Sequence, residues 1–79
     1  MTNEHGLTPP VSWDMVRAEY NWLATDENGG VFGYSEKPND MLGFWATKDS
    51  PCGRVCKIDP PANYAICLWE RPKINMHDV

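Results

Sequence analysis

The side chains able to do chemistry in this 79-residue sequence are three cysteines, two histidines, and four tryptophans set among lysines and arginines. Cys52-Gly53-Arg54-Val55-Cys56 is a C-x3-C pair, Cys67 follows it, and His5 and His77 stand near the two ends. Structural zinc is normally held by two short-spaced ligand pairs, because a tetrahedral ion needs four preplaced donors. Only one such pair is present, and both histidines fall in terminal segments, so no metal is expected. Cys56 and Cys67 read instead as small buried hydrophobes, and Cys52 as a loop thiol. Asp26-Glu27-Asn28-Gly29 begins like a calcium loop, but the position that should carry the closing glutamate is Lys37. That stretch therefore reads as a turn. Ser12, Ser35 and Ser50 lack a G-x-S-x-G setting, and neither a P-loop nor a G-x-G-x-x-G is present. A histidine in a tail is not preorganised as a base. The expectation is a protein with no catalytic residues and no cofactor.

What remains is aromatic and basic. Trp22, Tyr34, Trp45 and Trp69 could share a surface with Lys37, Arg54, Lys57 and Arg71. Stacking of a base on such a ring is worth about 1–3 kcal/mol, and cations beside it would hold phosphates. The same rings could fill the core, or form a patch that docks a protein. The candidate binding set is Trp22, Tyr34, Lys37, Trp45, Arg54 and Trp69. Convergence of two or more cations on one ring would favour a small nucleotide. Scattered cations together with a flat aromatic patch would favour a protein partner.

Composition narrows the choice. Net charge is −4, from 11 acidic and 7 basic residues. The acids are spread along the chain, and no basic patch suits a nucleic-acid polymer. An odd cysteine count without a signal peptide argues against a disulfide scaffold. No apolar run approaches the ~18–20 residues that span a membrane. These features lead us to expect a soluble, cytosolic protein that makes no membrane contact. A chain this small has a modest core, so self-association is a further possibility.

The elements that must position these residues read as mainly β. Residues 1–10 look like a flexible arm, 11–71 a single small domain, and 72–79 a flexible tail. Ser12 is placed to cap a short helix over Trp13–Ala18. Tyr20–Pro38 has the pattern of a hairpin, with Tyr20, Trp22 and Ala24 on one face and Leu23 and Thr25 on the other. Asn28-Gly29 would supply the positive φ angles of its turn. Further strands are expected over Leu42–Thr47, Arg54–Ile58 and Tyr64–Trp69. The last is apolar on both faces and reads as the central strand. The prediction is mainly β, with α+β possible: a compact antiparallel sheet of four to five strands or a small barrel with at most one short N-terminal helix, an extended lead-in being the alternative to that helix. Apolar residues on both faces require closure into a barrel or cover from another subunit.

Trp22, Ala24, Asp26, Asn28, Gly29, Tyr34, Lys37, Pro38 and Trp45 together form W-x-A-x-D-x-N-G, an aromatic strand, a K-P step and a lone Trp. In this respect the chain resembles small accessory proteins of bacteriophage genomes. The resemblance implies a phage protein expressed in the cytoplasm of its bacterial host, where it blunts a host factor such as a defence system. Such a protein would act by occluding a host protein, as an anti-CRISPR or enzyme inhibitor does. Alternatively it would sequester a signalling nucleotide, or serve a structural or housekeeping role in the phage. The net charge of −4 favours the protein partner, because it opposes an anionic ligand.

Overall fold

The chain is organised around the hairpin. In the computed structural model, which describes residues 2–72, strand β1 (Trp22–Thr25) pairs antiparallel with β2 (Gly30–Tyr34), in register from Trp22↔Tyr34 to Thr25↔Val31. The turn differs from the Asn-Gly form expected. Only Gly29 has positive φ (+91°). Gly29 N–H donates to Asp26 O at 2.9 Å, and Asp26 N–H to Gly30 O at 2.9 Å. Asn28 contributes its side chain instead, Oδ1 accepting from Gly30 N–H at 2.9 Å. A Cβ on Gly29 would lie 2.1 Å from Ile58 O, so the position tolerates only glycine.

Two short strands, β3 (Asn39–Asp40) and β4 (Trp45–Ala46), form a separate ribbon. Strand β5 (Cys52–Lys57) joins β2, and β6 (Leu68–Glu70) joins β1. The main sheet is antiparallel throughout, in the order β5-β2-β1-β6. The fold is thus mainly β, as the patterning predicts. Two strands fall elsewhere than expected. Leu42–Thr47 contributes only Trp45–Ala46, outside the main sheet. Of Tyr64–Trp69, the first part is a 3-10 turn, Tyr64–Ile66, capped by the Asn63 side chain on Ala65 N–H. The strand that follows lies at an edge, not at the centre.

The double-sided apolarity has a different cause: the chain covers both faces of its own sheet. On one face Leu23, Val31, Cys67 and Trp69 pack with Val16 and with Leu7, Val11 and Trp13 of the N-terminal segment. On the other, Ala24 and Tyr34 pack with Trp45 of the ribbon, beside Trp22, Phe32, Tyr64 and Leu68. Neither barrel closure nor a second subunit is needed. Tyr20 departs from the expected face. It precedes β1, where Tyr20 N–H donates to Arg17 O, and its ring lies over the paired glycines Gly33 and Gly53 on the Leu23 side.

The expected helix is a single 3-10 turn, Trp13–Met15, with Ser12 Oγ accepting from Asp14 N–H. Val16 is already extended. The Arg71 guanidinium takes the carbonyls around that point. It donates to Tyr20 O at 2.8 Å and Arg17 O at 2.9 Å, with longer contacts to Val16 O and Trp13 O. It also stacks on the Trp13 ring at 4.8 Å. A multidentate arginine therefore replaces helical hydrogen bonds as the satisfier of this segment.

The arm expected to be flexible is fastened to β6. Asn3 Nδ2 donates to Ile66 O (2.8 Å) and Leu68 O (3.1 Å), and Trp69 Nε1 donates to Leu7 O (2.9 Å). At the opposite edge, β5 is blunted by the exposed Arg54 and Lys57 and by a register shift opposite Val31/Phe32. No helix among the described residues is long and apolar enough to cross a membrane. Residues 73–79, which include His77 and nearly all of the expected tail, lie outside the described residues.

Candidate functional site

The ribbon ends in the most exposed apolar feature of the fold. Met41 N–H donates to Phe44 O at 2.7 Å, leaving Leu42-Gly43 as a two-residue hairpin turn. Both have positive φ, +64° and +121°, which a type I′ turn requires and for which Asn-Gly is the favoured pair. A leucine at such a position is strained by about 1–2 kcal/mol. It is also 93 % exposed, flanked by Met41 at 49 % and Phe44 at 48 %. Strain held at an exposed apolar tip is a cost to folding without a packing return, which makes this loop the candidate site.

The tip is held rigidly. Asp40 Oδ1 accepts from Leu42 N–H (3.0 Å) and from the Tyr64 hydroxyl (2.5 Å). That hydroxyl in turn accepts from Gly43 N–H (2.6 Å). Glu27 N–H, in the β1–β2 turn, donates to Gly43 O (2.9 Å). Trp45 anchors the base: its N–H donates to Asp26 Oδ1 (2.8 Å), and its carbonyl accepts from the Tyr34 hydroxyl (2.8 Å). Its indole N–H reaches Tyr64 O (3.3 Å), and the two rings meet edge to face at 6.4 Å.

The titrating groups reflect this packing. Burial pushes the Asp26 carboxyl up, opposed by the bond from Trp45 N–H. Burial likewise raises the Tyr34 phenol, which stays a donor. The Tyr64 phenol is raised chiefly by its bond to Asp40. Burial also raises the Cys67 thiol, as befits a packing residue.

No family model, curated protein or solved structure matches the chain. The site therefore stands on its own geometry.

The sequence-based candidates divide. Tyr34, Trp45 and Trp69 are buried, the last on the opposite face from the other two. Trp22 is half-buried, with the Lys37 ammonium 5.8 Å from its ring centre. Arg54 is exposed on β5, Lys57 lies further along that strand, and Arg71 is committed to Trp13. No two of the cations converge on one ring. The cleft beside Lys37, of ≈ 280 Å³, is lined also by Glu4, His5 and Asp40, a mixed set of charges that does not select an anion. Cys56 packs against the core cluster that holds Cys67, while Cys52 is exposed at the start of β5 rather than in a loop, and no group of three metal-ligating side chains forms among the described residues. Sequence reasoning missed Met41, Leu42 and Phe44, because their alternation with Gly43 and Trp45 imitates a strand. The available signal was Asp40, whose side chain can take the backbone N–H two residues on, as it does with Leu42.

Proposed function

We propose that this is a non-catalytic binding protein whose Met41–Phe44 tip inserts into an apolar pocket of a partner protein and so occludes it. The observation that carries the reading is the exposed, left-handed Leu42, held in place by Asp40, Tyr64 and Glu27. Seating a Leu, Met or Phe side chain in a pocket gains about 1.5–3 kcal/mol each. A preorganised loop loses little entropy in doing so. The tip is compact enough to act as a single anchor, with Tyr34 and Trp45 bracing it from the core. Taken with the resemblance to phage accessory proteins, the partner is a bacterial host protein, and a defence component is the class we favour. Sequestration of a nucleotide messenger is the weaker reading, because the cations are scattered and the Lys37 cleft carries both signs of charge.

The test is affinity capture from bacterial lysate with the full chain beside its Leu42→Ser/Phe44→Ser variant, read by native mass spectrometry. One stoichiometric host protein kept by the wild type and lost by the folded variant supports occlusion. A small anionic adduct retained by both supports sequestration. Equal protein retention by both forms, or no retained species, overturns the reading.

A further inference from the structure

Two acids, Glu27 and Asp40, frame the apolar tip, although Asp40 also borders the cleft that holds Lys37 and His5. The Glu27 carboxylate lies 3.3–3.5 Å from the point where a Cβ on Gly43 would sit. Asp40 opens the loop and binds its backbone. Neither acid belongs to an ion pair among the described residues, whose ion pairs are His5–Glu4 and Arg17–Glu19. No lysine or arginine side chain hydrogen-bonds to residues 41–44 there. Asp40 braces the loop through its hydrogen bonds, and because neither acid has a cationic partner among the described residues, both also set the sign of the surface that can approach.

From this frame, and resting on the docking reading above, we infer that the partner's pocket is apolar at its floor and rimmed by arginine or lysine. A second copy of this chain is disfavoured, because tip-to-tip contact would set Glu27 and Asp40 against their own equivalents, with net charge −4 on each copy. An anionic membrane surface is repelled for the same reason. A cationic rim instead steers the acidic tip in and pairs with Glu27 once it is seated. That association weakens as salt rises.

The experiment places a photo-crosslinking residue, p-benzoylphenylalanine, at position 42 of the full chain. A control chain carries it at Met15, which is also strongly solvent-facing, in the N-terminal segment that packs on the sheet face opposite the ribbon. Both are irradiated in bacterial lysate at about 0.05 M and about 0.5 M salt, which brackets the change in screening length. The expected result is an adduct from position 42 and none from Met15. Its crosslinked peptide places Arg or Lys next to apolar residues, and its yield falls roughly threefold or more at high salt. Glu27→Gln, which keeps the backbone bond to Gly43, lowers the low-salt yield. A specific adduct without cations and indifferent to salt overturns the rim inference and leaves the docking reading standing. An adduct to a second copy or to lipid overturns the inference. Equal adducts from both positions, or none from position 42, overturn both.

Discussion

Leu42→Asn should make the protein more stable while abolishing its capture of a partner. The magnitude follows from the turn. Leu42 sits at φ +64°, where a side chain with a Cβ costs about 1–2 kcal/mol and where Asn is tolerated far better. Because Leu42 is 93 % exposed, removing it gives up almost no buried area. The replacement creates Asn-Gly, the preferred type I′ pair. The expected gain is about 1 kcal/mol, or roughly 4–8 °C in melting temperature for a chain of this size. Leu42→Gly relieves the same strain but adds about 0.5–1 kcal/mol of unfolded-state entropy, so its gain is smaller. Leu42→Ala keeps the strain and should fall within about 0.5 kcal/mol of the wild type. The assay is urea and thermal unfolding followed by circular dichroism, with partner capture measured on the same preparations. If Leu42→Asn destabilises by more than about 1 kcal/mol, Leu42 is packed rather than presented, and the reasoning fails. Equal stabilities for the Ala and Asn variants would show that the turn holds no strain.

Three other variants probe the frame. Gly33→Ala would put a Cβ 2.7 Å from Tyr20 Cδ2, so it should destabilise by about 1–3 kcal/mol in urea unfolding, a loss that Tyr20→Ala would not add to. Arg71→Lys keeps the charge but not the fork that reaches Tyr20 O and Arg17 O. It should cost about 1–3 kcal/mol and loosen Trp13, visible as a shift in tryptophan fluorescence. Asp26→Asn keeps an oxygen for Trp45 N–H but removes a carboxyl whose pKa is raised by burial. A raised carboxyl favours folding while protonated, and that contribution is lost as pH climbs through the raised value. Asp26→Asn should therefore gain on the wild type as pH rises from below the ordinary carboxylate range through the raised value, and an Asn-minus-wild-type stability that falls on that rise would contradict the burial argument.

Much of the fold was legible because local and tertiary preferences agree. Ala24 and Leu23 alternate onto opposite faces, Gly29 closes the turn, and β5 follows a Pro-containing loop. The misreadings share a cause: side chains took over hydrogen bonds that the pattern assigned to backbone. Asp26 and Tyr34 satisfy Trp45, Asp40 and Tyr64 satisfy the loop before it, and Arg71 satisfies the segment read as a helix. These pairings join residues distant in sequence, so periodicity cannot reveal them. Tyr64–Trp69 looked central because it is apolar on both sides, whereas the N-terminal segment and the ribbon cover both faces even at the edge. Of the candidate residues, Tyr34 and Trp45 lie in the core and brace the ribbon, and the exposed Leu42 on which the proposal rests is hidden in the sequence by an alternation that imitates a strand.

The central claim is that the Met41–Phe44 tip, and no other surface, seats in the partner. Amide hydrogen exchange on the isolated chain and on its complex with the captured partner tests this most directly. New protection is expected at residues 40–45 and at Glu27, with the β5 edge and the amides of residues 11–15 of the N-terminal segment unchanged. Protection at either of those surfaces, with exchange at Leu42 and Gly43 unaltered, would contradict it.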